Sequence, residues 1–361
     1  MLPKIYKVSE KDENKKIPEE KTILSLGEFG LIKHLTDGFV NNNGSTIKGV
    51  GDDAAVIDCG KNLSLVTTDL LVEGVHFNLV YTPMKHLGYK AIVVNISDIA
   101  AMNGIPEQVT VSLALSSKIS LEQLEDFYLG VKLACERYNV DLIGGDTTTS
   151  LVGMTISVTA IGRIDKGNEV YRSGAKNTDV ICVSGDLGGA YLGLQLLERE
   201  RKVFEIDPFS QPQLIGYDYI LERQLKPEAR LDIIKELAEL GVKPSAMMDI
   251  SDGLSSELLH ICESSTVGCR IYEDRLPVNI VSKRMCEEIN IDPTVAALNG
   301  GEDYELVFTL SLSDYDKIKE MKDVQVIGYI TPKEEGAFMF ARNNTEVKLI
   351  AQGWDPISKL S

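Results

Sequence analysis

The sequence predicts an α/β protein of two domains, and three observations carry that expectation. Short β-branched apolar runs alternate with helical apolar periodicity along most of the chain. A polar, glycine-bearing stretch, DKGNEVYRSGAKNTD at 165–179, interrupts the alternation near its middle. With 361 residues and 43% hydrophobic content, the chain is long enough to bury a substantial core.

Residues 1–24 are rich in lysine and glutamate and predict a mobile extension or a short exposed helix. Runs at 63–68, 109–115, 154–162, 179–185, 304–310 and 324–330 are bounded by turn residues, as strands are. Helical spacing predicts helices over 84–102, 187–200, 213–224, 229–240, 253–264 and 312–321. The clearest helix starts at Ser120, with Gln123 completing a capping box, and aligns Leu121, Leu124, Phe127, Tyr128, Val131, Ala134 and Cys135 on one face. The polar stretch divides an N-terminal domain, 25–165, from a C-terminal domain, 166–361.

A formal net charge of -17, from 37 basic and 54 acidic residues, argues against nucleic acid or an anionic membrane as partner. An anionic small substrate would need metal ions to be admitted. The six cysteines (Cys59, Cys135, Cys182, Cys262, Cys269, Cys286) form no C-x-x-C pair, which suits reduced thiols in a cytoplasm. No apolar run reaches the ~18 residues of a membrane span, and the N-terminus lacks a signal-peptide core, so a cytoplasmic location is expected.

The chemistry is concentrated in short acidic motifs: GDDAAVID (51–58), TTDLLVEGVHF (67–77), NISDIAAM (95–102), GGDTT (144–148), MDISDGL (248–254) and NGGEDYE (299–305). Two carboxylates 4 Å apart repel by about 4 kcal/mol at an effective dielectric of 20, so such a set converges only around hard cations. Magnesium takes oxygen ligands and completes its shell with water and phosphates. Each motif alone has a plainer reading. Asp52 or Asp53 suits a turn, Asp98 suits a helix surface, GGDTT suits a glycine turn, and Asp252 before Gly253 suits a helix cap. Alternatively, Gly144 and Gly145 let backbone amides approach phosphate oxygens while Asp146 holds a metal. The plain reading must be invoked five or six separate times, and the ensemble therefore favours a metal site.

No G-x-x-x-x-G-K-[ST] loop and no H-R-D or D-F-G set occurs, which excludes P-loop and protein-kinase types. SGDLGG at 184–189 reads as a strand-to-helix turn rather than a phosphate loop. His34, His86 and His260 fall in helical patterns, and His76 alone lies inside a motif.

Taken in order, GEFGLI (27–32), GDDAAVI, TTDLLVEGVHF, NISDIAAMNGIP, LIGGDTT, YRSGA (171–175), DISDGL and GGEDYELVFT resemble the thiamine-monophosphate kinase family. That family belongs to an ATP-binding superfamily with aminoimidazole ribonucleotide synthetase, selenophosphate synthetase and a hydrogenase maturation factor. The resemblance implies a two-domain aminoimidazole ribonucleotide synthetase-like fold. Its N-terminal domain would carry a four-stranded sheet that pairs across a homodimer into a barrel, beside a C-terminal α/β domain. It also implies Asp53, Thr67, Thr68, Asp69, Asp98, Asp146, Asp249 and Asp252 as Mg2+ ligands, with Asp69, Asp98, Asp146 and Asp252 catalytic. ATP would contact Gly145, Asp146, Arg172 and Ser251. His76, Glu302 and the sole tryptophan, Trp354, would face thiamine monophosphate. Asn103 stands where the family often has Gly, and Asn tolerates left-handed turns. The reaction implied is direct phosphoryl transfer from ATP to give thiamine diphosphate, without a phosphoenzyme. Two rivals are another superfamily member, such as aminoimidazole ribonucleotide synthetase, and a non-catalytic sensor of nucleotide or thiamine phosphate.

Overall fold

The computed structural model describes residues 23–37 and 41–352. The chain divides into two units, residues 1–39 with 355–361 and residues 40–354. In the first, α1 (Ile23–Thr36) is the described element. Most of the expected extension over 1–24, and Trp354, lie outside the described residues.

The larger unit contains two sheets. The first is built from β1 (Thr46–Lys48), β2 (Ala55–Asp58) and β3 (Asn62–Val72), then α2 (Met84–Ala101), β4 (Ile105–Leu115), α3 (Leu121–Tyr138), β5 (Asp141–Thr149) and β6 (Thr155–Asp165). Its order is β1-β2-β3-β6-β4-β5, six strands where four were expected, because the short β1 and β2 pair outside β3. Only β4 and β5, joined through α3, run parallel. Strands β3 and β6 alternate buried and more exposed residues, so one sheet face packs on α2 and the other lies open. Leu63, Leu65, Thr67 and Leu71 point inward, whereas Thr68 and Leu70 point out.

The second sheet follows the polar stretch. It uses β7 (Val180–Ser184), α4 (Gly189–Ile206), α5 (Asp218–Leu225), α6 (Leu231–Glu239), β8 (Ala246–Asp249), α7 (Leu254–Ser265), β9 (Val267–Tyr272), α8 (Ile280–Ile289), α9 (Pro293–Asn299), β10 (Leu306–Leu310), α10 (Tyr315–Ile318), β11 (Val324–Pro332), β12 (Ala337–Phe340) and β13 (Glu346–Lys348). The order is β13-β12-β9-β11-β7-β10-β8, antiparallel except for β12 beside β9. Each sheet has its own apolar core.

Helix α2 links the two sheets. Its apolar residues are buried almost all round, because it packs on β3, β4 and β6 on one side and on β8 on the other. Beyond it the chain turns at Asn103, whose φ of 62° is the left-handed conformation that asparagine tolerates. The capping box at Ser120 forms as expected, each partner receiving the other's backbone N–H. SGDLGG is indeed a strand-to-helix turn, between β7 and α4. The amides of Gly188 and Ala190 donate to the buried carboxylate of Asp303, at 2.7 and 3.3 Å, so this helix start is already occupied by an internal anion.

Candidate active site

Three of the acidic motifs meet where α2 crosses between the sheets. Asp98 comes from α2, Asp249 from the last residue of β8, and Asp53 from the turn before β2. One oxygen from each lies within 4.8 Å of the other two. Asp69, on the inward face of β3, is close enough to raise the pKa of both Asp98 and Asp249. Burial raises all three: Asp53 is pushed up to about 7 and Asp249 to about 6, while Asp98 rises well above the carboxylate range under further repulsion from Asp69, Asp249 and Asp53.

Hydroxyls and one guanidinium offset part of this repulsion. Thr67 donates to Asp98 Oδ2 at 2.6 Å, and Ser97 donates to Asp249 Oδ2 at 2.6 Å. Arg172 Nη2 reaches Asp53 Oδ1 at 2.7 Å, and the Arg172 amide donates to Asp52 at 3.1 Å. The second oxygen, Asp53 Oδ2, is buried with no hydrogen-bond partner among the described residues. Buried polar atoms are seldom left so. Converging hard oxygens with an orphaned acceptor, and no sulfur or imidazole among them, fit magnesium better than zinc.

The DISDGL and GGEDYE motifs are joined by main-chain hydrogen bonds, Glu302 to Ser251 at 2.6 Å and Tyr304 to Ile250 at 2.9 Å. Ser251 and Asp252 occupy the turn between β8 and α7, and both their amides donate to the buried carboxylate Glu257 Oε1, at 3.2 and 2.9 Å. Glu302 and Tyr304 adopt φ of 58° and 51°, a costly backbone for residues with side chains. Tyr304 is buried, and its hydroxyl pKa is raised by burial first and then by Glu302, Asp69, Asp249 and Asp252, which marks it as the bridge between the two parts of the site.

His76, Phe77, Tyr81, Thr82, Lys90, Gln224 and Leu225 line a small cleft. His76 Nδ1 accepts the Val72 amide at 3.0 Å, which leaves the ring proton on Nε2. Burial lowers its pKa and keeps the ring neutral at pH 7. Glu302 is held by Lys90 at 2.9 Å and by Gln224 at 2.7 Å.

Other expected residues stand elsewhere. Thr68 faces the open side of the sheet and donates to the Val158 carbonyl at 3.0 Å, away from the inward Thr67 and Asp69. Gly145 and Asp146 lie within β5, an exposed edge strand rather than a turn. Register aligns Asp69 with Val158, Val111 and Gly145 across four strands. Three strand spacings separate Asp69 from Gly145, about 14 Å. Asp146 pairs with Ser112 and shares its outward face. Gly145 is required by packing, since a Cβ there would lie 1.8 Å from the Val111 carbonyl oxygen of β4. Lys90, Ser97, Gln224, Glu257 and Tyr304 were not singled out by sequence; a lysine inside the apolar run of α2 was the one legible signal among them.

A carboxylate cluster between two mixed sheets defines a class that comparison makes explicit. The family model for AIR synthase related protein, N-terminal domain, matches residues 51–164, and that for the C-terminal domain matches residues 166–340. Thiamine-monophosphate kinase of Bacillus subtilis is 34% identical over 336 residues, covering 91% of this chain and 99% of that protein. The enzyme of Aquifex aeolicus is 36% identical, covering 91% and 97%. A solved structure described as AaThiL complexed with AMPPCP and TMP superposes with a TM-score of 0.79 at 33% identity, covering 93% and 99%. The chain belongs to the thiamine-monophosphate kinases, within the AIR synthase related family. Likeness to Escherichia coli HypE, at 18% identity and a TM-score of 0.66, extends to the fold alone.

Proposed function

We propose that this chain transfers the γ-phosphoryl group of ATP to thiamine monophosphate, giving thiamine diphosphate and ADP. Membership of the kinase family supports the reaction, and the convergence of Asp53, Asp98 and Asp249 is the observation that carries it. Magnesium held by these three with Asp69 and Asp252 would neutralise the phosphates and keep donor and acceptor in line. Arg172 pairs with Asp53 and is placed to turn its guanidinium to a phosphate oxygen. Ser251 lies beside Asp252, on the turn that Glu257 holds.

The acceptor needs no strong base, since a phosphate monoester has a second pKa near ~6 and is mostly ionised at neutral pH. Transfer is therefore direct. His76 and Glu302 form the thiamine side of the site, with Trp354 retained in that role from the family pattern. Asp146 and Thr68 belong to the open face of the first sheet and Gly145 to its exposed edge strand, and we assign the three to the part of the ATP site completed when a second subunit covers it. Leu70 and the nine exposed residues of β5, on the open face and at the sheet's edge, support a homodimer. Cysteine spacing supports a cytoplasmic setting.

The decisive experiment is thiamine diphosphate formation with purified protein, ATP, Mg2+ and thiamine monophosphate, with ADP measured in parallel. Equal yields of both products are expected. Tight binding of both ligands with no ADP would instead establish the sensor, and ADP formed only with another acceptor would establish a different superfamily activity.

A further inference from the structure

The carboxylate of Glu302 is unusual in how firmly it is held. Both oxygens are taken: Oε1 by the ammonium of Lys90 at 2.9 Å and Oε2 by the side-chain amide of Gln224 at 2.7 Å. Lys90 projects from the buried α2 and its side chain is 5% exposed, while that of Glu302 is 25% exposed. Lys90 also donates to the Gln224 main-chain carbonyl at 3.1 Å, so the two holding groups are tied to each other as well. Gln224 is buried, and its Oε1 has no hydrogen-bond partner among the described residues. Lys90 and Gln224 line a small cleft together with His76, whose proton sits on Nε2 and whose ring feels the Glu302 charge. A cation in an apolar helix and an amide with an orphaned acceptor are poor choices for packing alone.

We infer that Lys90 and Gln224 are positioning residues that aim the Glu302 carboxylate, as a fixed acceptor, at an exocyclic amino group on a heteroaromatic ring. This rests on the thiamine-phosphate reading, in which the ring is the 4-aminopyrimidine. Lys90 and Gln224 are both donors, so they orient Glu302 by occupying one lone pair of each oxygen and leave a second on each able to accept. A carboxylate so held accepts from an amino group and repels a carbonyl oxygen. The pair therefore sets specificity for amino over oxo at that ring position, and the neutral His76 adds a donor for a ring nitrogen.

The test compares thiamine monophosphate with its 4-oxo analogue, oxythiamine monophosphate, using the full chain, ATP and Mg2+. The wild type should prefer the amino substrate strongly in kcat/KM, since a site built around one hydrogen bond rejects an analogue that cannot make it, by roughly 10²-fold or more. Lys90→Met should raise KM for thiamine monophosphate about tenfold, leave KM for ATP unchanged and cut the amino-to-oxo ratio by about tenfold. Gln224→Leu should shift the ratio in the same direction and serves as the readout if Lys90→Met does not fold. Glu302→Gln, which can donate to the 4-oxo group, should bring the ratio near one. A Lys90→Met or Gln224→Leu enzyme that loses both substrates equally, or keeps the wild-type ratio, overturns the inference and leaves the kinase reading intact. A wild type that phosphorylates neither compound overturns both.

Discussion

Asp98 sits among the carboxylates, facing repulsion from Asp69, Asp249 and Asp53 that the Thr67 hydroxyl partly offsets. Replacing it by Asn keeps the shape and the acceptor for Thr67 while removing one charge. Asp98→Asn should therefore cut kcat by roughly 10²-fold or more, on the scale of losing a preorganised electrostatic group. The ion-free variant should melt no lower than the wild type, because a buried repulsion has been relieved. A variant with near-normal turnover at limiting Mg2+ would remove Asp98 from the metal set. Arg172→Ala should chiefly weaken ATP binding and also leave Asp53 without its guanidinium. Calorimetric ATP affinity equal to wild type would remove that role. The motif aspartates were legible because carboxylates repeated beside Gly, Ser and Thr need a common cation. Tyr304 and Glu257 were not, because their importance lies in what surrounds them after folding. A strand's two-residue period separates Thr67 from Thr68, which a contiguous motif cannot show.

At the scale of elements, β5 shows how a glycine pair can mislead. The sequence LIGGDTT suggests a turn, yet Gly145 lies in a nine-residue strand pressed against Val111. Gly145→Ala should force β4 and β5 apart and cost about 3 kcal/mol, the upper range for inserting a methyl group into a packed interior. Gly144→Ala, with nothing within 4 Å of its Cβ, should be close to neutral. Urea unfolding of the two variants measures the difference. A Gly145→Ala protein of wild-type stability but weakened ATP affinity would show that the glycine serves the ATP site and not the packing of β5 on β4. The long amphipathic elements, such as α3 and β6, were readable from periodicity. Short ones such as β8, the four residues AMMD, carry no period and exist because β10 pairs with them. Helices α8 and α9 were missed, their apolar positions being few; Asn279 and Asp292, which accept the amides of Val281 and Thr294, were the available start signals.

At the scale of the whole molecule, the buried carboxylates make stability depend on pH and on magnesium together. Folding raises the pKa of Asp53 to about 7 and of Asp249 to about 6, and raises that of Asp98 as well, chiefly through burial. A raised acid holds its proton more firmly in the folded chain than in the unfolded one. Stability of the ion-free protein therefore falls as pH rises from the unfolded carboxylate range, near ~4, toward 7, and above that the full penalty from Asp53 and Asp249 is present. Magnesium binds the ionised form, so it competes with protons for the same oxygens and binds more tightly as pH rises. The increase in melting temperature on adding Mg2+ should consequently be small at pH 5 and large at pH 8. Differential scanning fluorimetry over that range, with and without Mg2+, reads both slopes. In Asp98→Asn the Mg2+-dependent increase at pH 8 should shrink, whereas Asp146→Asn, changed on the open face of the first sheet, should retain it while losing turnover. An increase of the same size at pH 5 and pH 8 would mean that magnesium stabilises the protein somewhere other than among Asp53, Asp98 and Asp249.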